Sequence, residues 1–243
     1  MRNKIKFMED PIPELVKIVN NAGLLKGNNI YQALSQRENV SILDLGCRFP
    51  ANLIIGYHEL NTNFLRGVDR AKGEKECLND LKDFAINSIE VKKEEVDDLN
   101  ESESFYEQYK KSIRPDNTSF RKNQMTESEF KSVILDNLFF NTRLEDYINS
   151  TQEKFDLIIC HNVLHFTNQN DLLISKIGSF LKSDGFIYIR VENQSKLNNP
   201  EKRTYYDKGK FIQELDQTFN KGFLYQSMKN NDWHSLVFIN QEL

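Results

Sequence analysis

Short, nearly continuous apolar runs alternate along this chain with stretches whose apolar positions recur at helical spacing. Val40 to Leu45 is the first run, and a strand apolar on both sides suits the middle of a parallel sheet covered by helices on both faces. Helical spacing follows from about Ala51 to Leu60, then a second strand over Phe64-Leu65-Arg66-Gly67-Val68-Asp69. Glu74 to Ile89 places Cys77, Leu81, Phe84 and Ala85 on one helical face. This strand-helix-strand-helix rhythm predicts right-handed crossovers and a parallel sheet.

Further along, Leu138-Phe139-Phe140 predicts a short third strand and Phe155 to Cys160 a strongly apolar fourth. Leu173, Ile177, Phe180 and Leu181 form a helical stripe from Asp171 to Leu181, which Ser183-Asp184-Gly185 should end ahead of a fifth strand over Phe186–Val191. The spacing of Phe211, Leu215 and Phe219 predicts a last helix. Two final strands, about Leu224–Met228 and Ser235–Ile239, face each other across Lys229-Asn230-Asn231-Asp232 as an antiparallel hairpin.

Two regions stand outside this rhythm. Residues 1–40 read as a helical leader, in which Leu15, Ile18 and Val19 share a face and Asn21-Ala22-Gly23 can end the helix. Residues 91–130 read as an insertion in the remaining domain, 41–243, being charged, Ser- and Asn-rich and poor in aliphatics. Composition leaves a solvated loop open for 91–125, and insertions at the carboxyl edge of a sheet tend to shape specificity. At its end Thr126-Glu127-Ser128-Glu129 is a capping-box pattern ahead of Phe130, Val133 and Ile134, which predicts a helix.

The balance of 32 basic and 36 acidic residues, net charge −4, gives no bulk attraction to a nucleic acid and favours a small-molecule or protein partner. Cys47, Cys77 and Cys160 are too few and scattered for a disulfide framework or a paired-cysteine zinc site. No apolar run reaches membrane-spanning length, and Met1-Arg2-Asn3-Lys4 is not followed by the apolar core of a signal peptide. A soluble cytoplasmic protein is the expectation.

Ligands of open parallel sheets sit beyond the carboxyl ends of the strands, where the strand order reverses. Gly46 permits a tight turn there, and Asp69 at the end of strand two can accept both hydroxyls of a ribose; a helix cap is the alternative role. Asp44 could equally hold its own loop. His161 and His165 follow strand four, where an imidazole can take a proton or simply pack and hydrogen-bond. As a metal pair they lack the glutamate that the zinc-protease pattern sets beside its first histidine, because Asn162 stands there. No metal is expected.

Three pieces, Asp44-Leu45-Gly46-Cys47-Arg48-Phe49-Pro50, Gly67-Val68-Asp69 and Phe155–Phe166 with its Leu164-His165 pair, together resemble the S-adenosylmethionine-dependent methyltransferases of class I, which have a Rossmann-like fold. The resemblance runs from Ser41 to Asn240. It implies a mostly parallel seven-stranded α/β sheet with helices on both faces and a C-terminal antiparallel hairpin. It also implies S-adenosylmethionine as cofactor, held by Asp44, Gly46, Cys47, Arg48, Asp69, Arg70, Leu144 and His161, and methyl transfer to a small-molecule acceptor beside His165 and His161. The family's glycine loop runs Asp-x-Gly-x-Gly-x-Gly, so Arg48 and Pro50 depart from it, and Arg143 stands where an acidic residue often reads adenine. Those departures leave a second reading, a methyltransferase-like protein that binds or regulates without transfer. A nicotinamide-dependent reductase is the third, but Gly46-Cys47-Arg48-Phe49-Pro50-Ala51 supplies only the first glycine of Gly-x-Gly-x-x-Gly.

Overall fold

The computed structural model describes residues 34–79, 104–112, 124–161, 163–164, 170–192, 225–227 and 233–239. The expected leader helix, the Phe211–Phe219 helix, the hairpin turn and His165 lie outside them.

Five parallel strands form the body of the sheet: β1 (Val40–Leu45), β2 (Thr62–Val68), β3 (Leu138–Phe139), β4 (Phe155–His161) and β5 (Leu181–Glu192), in the order β3-β2-β1-β4-β5. Beyond β5, β7 (Trp233–Ile239) runs antiparallel to it, and β6 (Tyr225–Ser227) pairs antiparallel with β7, Gln226 opposite Leu236. The helices are α1 (Ala51–Glu59), α2 (Phe105–Ser112), α3 (Glu127–Val133), α4 (Leu144–Ser150) and α5 (Asn170–Ser179). Residues 74–79 are also helical, where the helix expected over Glu74–Ile89 begins. Among the described residues no helix is long and apolar enough to cross a membrane.

Alternation along the strands explains the continuous apolar runs. Val40 and Ile42 of β1, Leu157 and Ile159 of β4, and Phe186 and Tyr188 of β5 enter one core, with residues of α1, α2 and α3. Their neighbours Leu43, Leu45, Ile158, Cys160, Ile187 and Ile189 enter the other, with α4 and α5. Each central strand is buried on both faces because successive side chains point to opposite sides.

The structure corrects several boundaries. Strand two begins at Thr62, and Asp69 lies one residue past its end. Ser183-Asp184-Gly185 does not end a helix: α5 stops at Ser179, and these residues form an irregularity within β5 as the register passes from Phe155–Leu181 to Leu157–Phe186. Gly185 is required there, since a side chain would collide with Leu181 and the carbonyl of Phe155. The bulge lets Lys182 Nζ reach Asp156 Oδ2 at 2.6 Å, and that same oxygen accepts from the N–H of Ser41 at 2.8 Å and its hydroxyl at 2.6 Å. This knot ties the amino ends of β1 and β4.

The insertion is also different from a solvated loop wherever it is described. Phe105 and Tyr109 of α2, Met125 before α3 and Phe130 of α3 are all buried in the first core. The capping box forms as expected: Thr126 Oγ1 accepts from the N–H of Glu129, whose carboxylate takes the N–H of Thr126 at 2.7 Å. The segment therefore completes the core under α1.

Candidate functional site

Strand register brings the predicted residues to one edge. Asp44 pairs with Gly67 on β2 and with Ile159 on β4, so the carboxyl ends of β2, β1 and β4 finish together. Since the chain leaves β1 toward β2 and later places β4 on the other side, this edge is the point where strand order reverses.

The turn after β1 is built tightly. Gly46 has φ +74°, and both its N–H and that of Cys47 bond to the carbonyl of Val68. A side chain at Gly46 would meet Val163 at 2.8 Å, so this glycine is demanded by backbone geometry and by close packing alike. Arg48 follows at φ +44°, a left-handed conformation that costs a non-glycine residue free energy. Phe49 anchors it from the core side, its ring edge-on to Phe105 at 5.4 Å between centroids. Pro50 caps α1 with no side-chain bond to the helix, and the N–H of Ala51 turns back to the carbonyl of Phe49. The loop that departs from the glycine pattern is thus a different turn, held by an aromatic contact.

Asp69 organises the site. Its Oδ2 accepts the N–H of Arg48 at 2.8 Å and its Oδ1 the N–H of Ala71 at 2.9 Å. Its own N–H bonds to the carbonyl of Phe139 and its carbonyl accepts from Thr142, so it stitches together the turns after β1, β2 and β3. Each carboxylate oxygen retains a second lone pair, which has no partner among the described residues.

Asp44, also buried, accepts from Asn52 Nδ2 at 2.8 Å. Nothing local in the chain singles out Asn52; its place in the first turn of α1, above the end of β1, was the available signal. Cys47 and Cys160 are both buried, and burial pushes both thiols well above the ordinary cysteine range, with the Asp44 carboxylate adding to it. Cys47 packs toward Gly67, where an added side chain would meet its sulfur at 3.0 Å. It is a core residue, so any ligand contact from it is through backbone.

Leu144 opens α4 with its side chain in the second core, and Arg143 is its cap residue without a side-chain bond. Glu145 and Asp146 occupy the first turn of that helix, where carboxylates complement the helix dipole. Arg70 is exposed beside Asp69. His161 closes β4 opposite Arg190, which places its backbone at the same edge. Among the described residues no group of acidic, histidine or cysteine side chains could hold a metal. A shallow cavity lined by Ile148, Thr151, Lys154, Lys176 and Phe180 lies at the far end of the sheet, near the start of β4, and belongs to no part of this site.

No family model matches the chain, and neither does any curated protein. Solved structures do. A phospholethanolamine N-methyltransferase 2 of Haemonchus contortus, in complex with phosphomonomethylethanolamine and S-adenosylhomocysteine, is similar over 95% of this chain and 53% of that one, at TM-score 0.50 and 9% identity. The plantazolicin methyltransferase BpumL, in complex with a triazolic analogue and S-adenosylhomocysteine, is similar over 87% and 81%, at TM-score 0.49 and 13% identity. The N-methyltransferase NodS of Bradyrhizobium japonicum, in complex with S-adenosylhomocysteine, is similar over 86% and 82%, at TM-score 0.44 and 14% identity. The α/β fold is that of the Rossmann-like methyltransferases.

Proposed function

We propose that this chain transfers a methyl group from S-adenosylmethionine to a small-molecule acceptor. The observation that carries the reading is the Asp69 carboxylate at the end of β2, level with the Gly46 turn, with one lone pair on each oxygen spent on a backbone N–H and the other available to a ribose hydroxyl.

The chemistry of the edge fits such a ligand. Asp44 and Asp69 are buried acceptors that suit hydroxyl and ammonium donors and repel phosphate. Phosphate recognition would instead use free N–H groups at the start of α1, but Pro50 has none and that of Ala51 is taken by Phe49, so only those of Asn52 and Leu53 are left, beside the Asp44 carboxylate. This counts against the nicotinamide reductase.

When bound, S-adenosylmethionine supplies an electrophilic methyl on a sulfonium centre. The protein's part is to hold donor and acceptor in line, a contribution of proximity and orientation. Asp69 would hold the ribose, Asp44 the amino end of the methionine portion, and the backbone near Leu144 the adenine. The turn at Gly46, Cys47 and Arg48 would lie against the ligand through its backbone, with Arg70 at its margin. His161, at the end of β4, and His165 would border the acceptor and take its proton where the acceptor must lose one. The seven-stranded architecture of such enzymes is supported by the antiparallel pairing of β7 with β5.

Calorimetric titration with S-adenosylmethionine, S-adenosylhomocysteine and NAD tests the reading. Binding of the first two and silence toward NAD is the expected result. Binding without turnover across a panel of hydroxyl and amine acceptors would favour the non-catalytic methyltransferase-like reading, and binding of NAD alone would overturn both.

A further inference from the structure

We infer that Asn52 is a ligand-binding residue whose side-chain oxygen, beside Asp44, accepts a hydrogen bond from the ammonium group of an amino-acid-bearing ligand. The inference rests on the methyl-donor reading, because that cofactor ends in an α-ammonium.

Asn52 is only 9% exposed. Its Nδ2 donates to Asp44 Oδ2 at 2.8 Å, and this bond fixes the amide orientation, since the reverse would set two acceptors against each other. The planar amide then places Oδ1 next to the carboxylate, and among the described residues that oxygen is buried with no hydrogen-bond donor. An unmade bond at a buried amide oxygen is costly, and such orphans in a folded chain ask for an explanation. A ligand group seated against the turn would supply the missing donor.

The surroundings say which donor. Helix starts ordinarily offer several N–H groups and attract anions, whereas the start of α1 has Pro50 without an N–H and Ala51 turned back on Phe49, which leaves those of Asn52 and Leu53 beside two side-chain acceptors. An anionic group is repelled by Asp44. An ammonium carries positive charge and three donors in a compact head, and so answers the carboxylate and the amide oxygen together. Asn52 thus discriminates for the amino group of the ligand, while Asp69 serves the nucleoside.

The test pairs ligand and protein changes. Wild type and Asn52→Ala are titrated with S-adenosylhomocysteine and with its analogue lacking the α-amino group, and Asn52→Leu serves in the same cycle should the alanine variant fail to fold. Removing the amino group should weaken binding to wild type by about tenfold or more and to the variant by much less, the scale of a hydrogen bond to a charged group. An equal loss in both proteins, or no loss in wild type, overturns the role of Asn52 while leaving the methyl-donor reading intact. If wild type binds neither compound, the methyl-donor reading fails and this inference falls with it.

Discussion

The backbone N–H of Arg48 and the carboxylate of Asp69 lie 2.8 Å apart, and through that bond the turn after β1 is fastened to the end of β2. The same carboxylate fastens Ala71. Asp69 therefore supports its own surroundings as well as any ribose. Asp69→Ala should lower unfolding free energy by about 2–4 kcal/mol, since one buried and one part-buried N–H group lose a charged acceptor. It should also weaken S-adenosylmethionine binding by about 1.5–3 kcal/mol. Urea denaturation and calorimetry on the same preparation read the two effects. Unchanged affinity in a folded variant sinks the ribose role, and unchanged stability sinks the fastening role.

Arg48 is held at φ +44° by its backbone, and the bond to Asp69 comes from that backbone. Glycine reaches this conformation freely but gives the unfolded chain more freedom. Arg48→Gly should therefore leave stability within about 1 kcal/mol of wild type. Cofactor affinity should be equal or somewhat lower. A silent wild type rescued by glycine would instead mean that the arginine side chain fills the ligand's place.

Phe105 is fully buried between Phe49 and Phe140. Phe105→Ala should cost about 3–5 kcal/mol in denaturant unfolding. Deleting residues 101–124 removes Phe105 and Tyr109 from the core and should abolish cooperative unfolding. A deletion variant that still unfolds cooperatively would show that the segment is no part of the core.

The contact between His58 and Tyr109 should make stability depend on pH. The N–H of Met125 donates to the Tyr109 hydroxyl at 2.8 Å, which leaves the tyrosine proton for His58 Nε2 at 3.0 Å. Burial lowers the His58 pKa below its ordinary 6.5. The unfolded chain thus binds the extra proton first, so stability is full above 6.5 and declines as pH falls through that value toward the folded pKa. His58→Gln keeps an acceptor for the tyrosine and should flatten this portion of the stability-pH curve. A wild-type curve already flat there would refute the neutral, accepting histidine.

Period and strand-end chemistry carried much of the fold in the sequence. The apolar runs at Val40–Leu45 and Phe155–Cys160, too short for a helix of ordinary length, suited strands buried on both sides, and Thr126 with Glu129 specified its cap by local bonds alone. What remained hidden depends on contacts across the chain. Residues 183–185 read as a stop signal because nothing local reports that Gly185 must pass under Leu181 and Phe155. Polar composition masked Phe105 and Tyr109, whose burial follows from Phe49 and Phe130 lying far away in sequence. Asp44, Gly46 and Asp69 were legible because a strand end fixes their direction, whereas Asn52 acquires meaning only when α1 folds over β1.

The central position of β1 has a consequence for how the chain is made. Its bond partner Asp156 lies 115 residues downstream of Ser41, so the middle strand leaves the ribosome long before β4 exists to flank it. Distant pairings of this kind slow folding and expose unpaired apolar strands in the meantime. The nascent chain can therefore pair β1 with β2 early, but the other edge of β1 waits until residues near 156 emerge.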